Sequence, residues 1–315
     1  MKLTLSYILT LLLALGSSMH VFSKEKFNPE TDLFIAQFDN LPDNDDVHSQ
    51  AALGCILAHP DYEKINFFCA TGAWGNQWAH PKSDNWEYIN SRSLFKLAFG
   101  TEAKPKDTPE QRAKAKWVDA NGPKNSKQRE ENLNFAAEVI KNKTKPILTS
   151  GGKVWIMEAG QSDLTAAWVA KLIAEGVTNT KSDVILVQHS HWNEKWTTPE
   201  ALAYVKEHTN YTQIDDGNSP YGDGPDRGDE TPNYKNEAKN FIPEAISKSN
   251  PNSHARTLWT KANEIATNTQ YKGLISKGSV DFSDTVEGMW ILGLSDKCAG
   301  LTTVRGFWDK FVINP

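Results

Sequence analysis

Four short apolar runs punctuate the chain at intervals and set its architecture. They are Leu33 to Ala36, Lys64 to Ala70, Val154 to Glu158 and Val184 to Gln188, each bounded by polar or glycine-containing turns. Runs of this length, apolar throughout rather than alternating, predict strands covered on both faces. Between them lie longer segments with helical spacing: Ser49 to Ala58, about Asn85 to Phe99, Glu130 to Lys141, Leu164 to Ala174, and Thr198-Pro199-Glu200 onward to His208. Tyr211 to Ile214 offers a further strand. Alternation of this kind predicts an α/β fold, a mostly parallel open sheet with helices on both faces. The Lys- and Pro-rich section from Gly100 to Gln128 reads as a surface excursion holding one short helix. There Thr108-Pro109-Glu110-Gln111 supplies a cap, a first-turn proline and a capping box. Ser162 is placed to cap the helix from Leu164. The irregular Gly-, Pro- and Asp-rich stretch from Asp215 to Asn233 reads as a lid or binding loop.

The first residues add a compartment. Lys2, an apolar run from Leu3 to Leu15 and small residues to Ser23 form a secretory signal peptide, residues 1–23, with cleavage before Lys24. The remainder, residues 24–315, reads as a single exported domain, periplasmic or secreted. No later stretch could span a bilayer. The formal net charge is -5, and loss of Lys2 with the leader makes the balance more negative, which argues against a nucleic-acid partner. Three cysteines, Cys55, Cys69 and Cys298, allow at most one internal disulfide. Pairing of Cys55 with Cys69 and two buried free thiols both stay open. Oligomeric state is open too. Eleven tryptophans are many for 315 residues and suit a site for sugars or bases as well as a core.

The chemistry is concentrated in Phe38-Asp39-Asn40-Leu41-Pro42-Asp43-Asn44-Asp45-Asp46, between the first strand and the first helix. Four carboxylates within eight residues repel one another, so the fold needs a cation, raised pKa values or full solvation there. Oxygen ligands without Cys or His favour calcium or magnesium over zinc. An EF-hand is excluded, because neither glycine nor glutamate occupies its required place. An exposed acidic turn capping a helix is the competing reading. At the same sheet edge the second strand ends in Trp74-Gly75-Asn76, and the fourth delivers His189-Ser190-His191-Trp192-Asn193. Asp284 opens a late apolar helix.

In order and spacing these pieces resemble the calcium-dependent nucleoside hydrolase superfamily. The likeness runs from about residue 32 to 295: the Asp-rich opening loop, Gly75-Asn76, Gly160 through Leu164, and Asp284. That family opens with Asp-x-Asp-Pro-Gly-x-Asp-Asp. Asp39, Pro42, Asp45 and Asp46 match it, while Leu41 replaces the second Asp, the family's general base, and Asp43 replaces the Gly. The resemblance implies calcium ligation by Asp46 and Asp284, a sugar-hydroxyl contact from Asp45 and a sugar or metal-water contact from Asn76, and the clustering of carboxylates adds Asp39 to the expected metal ligands. It sets Asn193 near the ribose-binding position, and Asp43 or Asp39 would have to take the base's role. Cleavage of an N-glycosidic bond passes through an oxocarbenium-like state, so an activated water and help for the leaving group are required. Trp74, Trp192 or Tyr221 could stack on that group, and His191, His189 or His80 could protonate it. The expected ligand is a small nucleoside or glycoside. A non-catalytic calcium-dependent sugar- or nucleoside-binding protein on the same fold is the second reading, favoured by Leu41. A magnesium phosphohydrolase lacks a phosphate cradle, and zinc on His189 and His191 lacks a third nearby ligand.

Overall fold

The computed structural model describes residues 25–42, 44–217, 231–269, 275–295 and 300–314. The leader, Asp43, Tyr221, Cys298 and most of the expected lid therefore lie outside the described residues. In chain order the elements are β1 (Leu33–Phe38), α1 (Asp45–Ala58), β2 (Phe67–Thr71), α2 (Arg92–Phe99), β3 (Glu102–Ala103), α3 (Pro109–Lys114), β4 (Trp117–Asp119) and α4 (Lys127–Thr149). They continue with β5 (Val154–Ala159), α5 (Asp163–Ala174), α6 (Thr180–Asp183), β6 (Val184–His189), α7 (His191–Trp196), α8 (Pro199–His208) and β7 (Asn210–Ile214). The C-terminal part holds β8 (Lys235–Asn236), α9 (Phe241–Ile246), α10 (Ser253–Asn268), β9 (Val280–Asp281), α11 (Val286–Ile291), α12 (Val304–Phe307) and a final wide turn of helix, Trp308–Ile313.

Seven strands form one parallel sheet in the order β3-β4-β2-β1-β5-β6-β7. Successive side chains of a strand point to opposite faces, and here both faces are covered. Phe34, Ala36 and Phe38 pack with α1, α10 and the C-terminal helices, while Leu33 and Ile35 pack with α4 and α5. This accounts for the continuous apolar runs and bears out the α/β expectation.

The chain works outward from β1 to β2 and on to the β3 edge, then returns to lay β5 on β1's other side. Such a reversal leaves a crevice beyond the carboxyl ends of the two strands where open α/β sheets bind ligands. Sharp corners open it. Asn40 after β1 and Ser190 after β6 have φ of 57° and 60°, and Gly72 after β2 has φ of 86°. A Cβ at Gly72 would stand 2.3 Å from the Asn121 nitrogen, so only glycine fits there.

Several local expectations are corrected. The helix expected from Asn85 begins only at Arg92, because the preceding residues bond elsewhere: Ile89 N donates to Asn40 O at 3.0 Å, and Asn40 Nδ2 donates to Ile89 O at 2.9 Å. The Gly100 to Gln128 excursion contributes β3 and β4, since Trp117 and Val118 are buried between β2 and the edge strand β3. Its capping box at Thr108 and Gln111 forms as expected. The Glu130 helix starts earlier, capped by Ser126, and continues through Pro146 to Thr149. Ser162 stands at the head of α5, but its hydroxyl makes no capping bond. Cys55 and Cys69 are free and buried, and burial pushes the Cys55 thiol up to about 12. No described helix is long and apolar enough to cross a membrane.

Candidate functional site

At the crevice, Asp39 directly follows β1, and α1 begins with Asp45 and Asp46, whose place in the first turn is favoured by the helix dipole. Asp284 arrives from the far end of the chain, just before α11. One ligand atom from each of Asp45, Asp46 and Asp284 lies within 4.8 Å of the others. Asp46 is buried. Its Oδ2 accepts from Asn40 N at 2.5 Å, while its Oδ1 is buried without a hydrogen-bond partner among the described residues. Burial, then repulsion from Asp39 and Asp284, holds its carboxyl well above the usual range. A buried carboxylate oxygen with no donor, beside two more carboxylates, fits a hard cation such as calcium.

Asp39 is clasped rather than mobile. Gln77 Nε2 at 2.5 Å and Gln161 Nε2 at 3.1 Å donate to its Oδ2, and Leu41 N donates to its Oδ1 at 3.0 Å. Burial, only partly offset by hydrogen bonds, pushes its carboxyl from 3.8 to about 7. Gly160 makes this approach possible, because a Cβ there would lie 2.9 Å from Ala73 O and 3.0 Å from Asp39 Cβ.

Across the crevice His189 ends β6. Its Nδ1 lies 2.7 Å from Glu287 Oε1, its backbone N donates to the same oxygen at 3.1 Å, and its Nε2 is 3.7 Å from Asp284 Oδ1. Burial alone would lower the imidazole pKa, but Glu287, Asp216 and Asp45 outweigh it and push it up to about 9. Behind this pair Glu158 is fully buried, bonded by Gln37 and Thr165, and its carboxyl is held well above the usual range by burial.

These groups surround a cavity of 590 Å³ whose lining includes Asp39, Leu41, Asp45, His189, Asn193 and Asp284. Asn193 Oδ1 is tied to Gln161 Nε2 at 3.0 Å. Aromatic side chains form its rim. His80 stacks on Trp86 with ring centroids 4.5 Å apart, and Trp192, 39% exposed, lies 5.6 Å from His80. Of the residues singled out from the sequence, Asp39, Asp45, Asn193, Trp192, His80, His189 and Asp284 line this cavity, and Asp46 lies directly beneath. His191, Asn76 and Trp74 do not line it. His191 opens α7, Asn76 N donates to Trp196 O at 2.9 Å, and Trp74 lines a neighbouring chamber. Asp43 lies outside the described residues. Sequence reasoning gave no role to Gln77, Glu287, Asp216 or Trp86. Glu287, three residues beyond Asp284 on the same helical turn, carried a signal of spacing; the others carried none.

Comparison with protein-family models, with curated proteins and with solved structures yields no match.

Proposed function

We propose that the protein is an exported calcium-dependent hydrolase of N-glycosidic or related glycosidic bonds, acting on a small nucleoside or glycoside. The observation that carries this reading is the meeting of Asp39 and Asp45 of the opening loop with Asp284, from the far end of the chain, in one cavity at the sheet's switch point, with Asp46 buried against Asp45 and Asp284. Asp45, Asp46 and Asp284 would hold the calcium, which when bound polarises a water and neutralises the cluster. Asp39, buried at the cavity with an orientation set by Gln77, Gln161 and Leu41 N, is the group to take the attacking water's proton. Attack of the water oxygen on the anomeric carbon breaks the bond to the leaving group, whose electron pair takes a proton from His189. Glu287 fixes His189 in place and favours its charged form. Asn193, and any oxygen of Asp45 left by the ion, line the same cavity and would bind sugar hydroxyls.

Leu41 supports a second reading, a calcium-dependent sugar- or nucleoside-binding protein without turnover, since an apolar side chain stands in the cavity wall where the resemblance expects a base. Incubation of the calcium-loaded protein with a panel of ribosides and glycosides, read by release of reducing sugar, separates the two. Turnover that Asp39→Asn lowers by about 10²-fold supports the hydrolase. Calorimetric binding without turnover supports the binding protein, and neither binding nor turnover refutes both.

A further inference from the structure

Leu41 and Trp86 line two cavities, not one. Beyond them, away from the aspartate cluster, lies a chamber of 380 Å³ whose walls include Leu41, Trp74, Trp78, Trp86, Tyr88 and Pro123. Its walls are fixed before any ligand arrives. Trp74 Nε1 donates to Asn121 Oδ1 at 3.1 Å, and the Arg129 guanidinium lies 4.4 Å from the Trp74 ring centre. The Tyr88 hydroxyl is 2.6 Å from Thr71 Oγ1, and Trp86 is backed by His80. Polar side chains of the lining include Ser83, which donates to Trp78 O, Lys124, whose Nζ donates to Ser83 Oγ at 3.2 Å, Asn121, whose Oδ1 accepts from Trp74, and Glu87. What the chamber offers a ligand is aromatic and aliphatic surface, with little left for hydrogen-bond readout.

We propose that this chamber is a subsite for a fused, apolar aromatic group of the same ligand whose sugar lies on the acidic side, so that the preferred substrate is an aryl glycoside. The proposal rests on reading the acidic cavity as the sugar site. Size and chemistry both bear on it. An apolar cavity of about 150 Å³ already accepts benzene, so 380 Å³ accommodates a bicyclic ring. A nucleobase would have to compete for the polar groups of Asn121, Lys124 and Glu87 at a mainly apolar wall, whereas an aryl ring has none to satisfy. Preformed aromatic walls also spare the cost of ordering side chains on binding. Leu41 gains a role here: at the boundary it keeps continuous with the chamber a surface that a carboxylate would interrupt.

Three probes test this by calorimetry on the calcium-loaded protein: 2-naphthol, 2-naphthyl β-ribofuranoside and methyl β-ribofuranoside. The naphthyl riboside is expected to bind about 30-fold more tightly than the methyl riboside, a modest part of what removing such a ring from water can contribute. Trp78→Ala should abolish that preference and leave methyl riboside binding unchanged, and Trp78→Phe should restore part of it; melting curves identify any variant that fails to fold. Binding of 2-naphthol alone, lost in Trp78→Ala, with neither riboside bound, would uphold the chamber and refute the sugar-site reading. Equal affinity for the two ribosides with no binding of 2-naphthol, or a naphthyl preference unchanged in both Trp78 variants, would overturn the proposal.

Discussion

Replacing Asp46 with Asn should stabilise the metal-free protein and at the same time remove its response to calcium. Asp46 and Asp39 are both buried, and burial raises the pKa of each; repulsion from Asp39 and Asp284 adds to the rise at Asp46, while at Asp39 the hydrogen bond with Asp46 offsets part of it. An acid whose folded pKa lies above its unfolded value binds more protons in the native state, so stability falls as pH rises between the two values. For Asp39, moved from 3.8 to about 7, the loss on reaching pH 8 is about 4 kcal/mol. On the proposed calcium reading much of that would return as the ion compensates the charge: a 1 mM solution of an ion bound at about 1 μM would stabilise by about 4 kcal/mol, or roughly 10 °C in melting temperature for a chain of this size. Asn at position 46 still offers a carbonyl oxygen to Asn40 N, keeps the shape and deletes one charge. Calorimetric melting at pH 8, with EDTA or with calcium, gives the readout. Expected are a melting temperature in EDTA about 2–4 °C above wild type and no gain on adding calcium. A variant that melts lower in EDTA and still gains about 10 °C from calcium would refute the reasoning, as would a wild type indifferent to both.

His48 is buried against Trp259, and burial lowers its pKa to about 3. A base whose folded pKa is depressed is lost to protonation in the unfolded state first, so stability should fall by about 2 kcal/mol between pH 8 and pH 5 on this account; urea titrations of wild type and His48→Gln check it, and equal pH slopes would exclude His48 as the source. Asp39→Asn should lower turnover by about 10²-fold with ligand affinity little changed; undiminished turnover on any substrate the wild type cleaves would remove Asp39 from the base's role. Gly160→Ala pushes a methyl against Ala73 O and Asp39 Cβ; it should cost about 1–3 kcal/mol in denaturant stability and shift Asp39, weakening turnover more than calcium affinity.

What the sequence disclosed and what it withheld divide along the range of the interactions. Strands β1, β2, β5 and β6 were readable because both faces of each are buried and the residues say so locally. The acidic loop was readable because four carboxylates in eight residues need an explanation wherever they lie. Strands β3 and β4, of two and three residues, carry no local pattern; they exist because Trp117 and Val118 find β2 already in place. The late start of α2 was hidden for the same reason, since the competing bonds come from Asn40, 49 positions away from Ile89. The clasp on Asp39 joins residues 38 and 122 positions apart, and the His189 to Glu287 pair spans 98. A single acid or glutamine in those segments looks like any other until the sheet assembles. The site's location is itself a consequence of that assembly: β1 turns the chain one way to β2, the return to β5 leaves the crevice, and Asp39, Gln161 and His189 are the residues that three parallel strands deliver to the same edge. Chemistry at such an edge is written one or two residues past each strand's end, so a reader who has the strands already knows where to look, and the long-range pairs decide which of the residues found there can act.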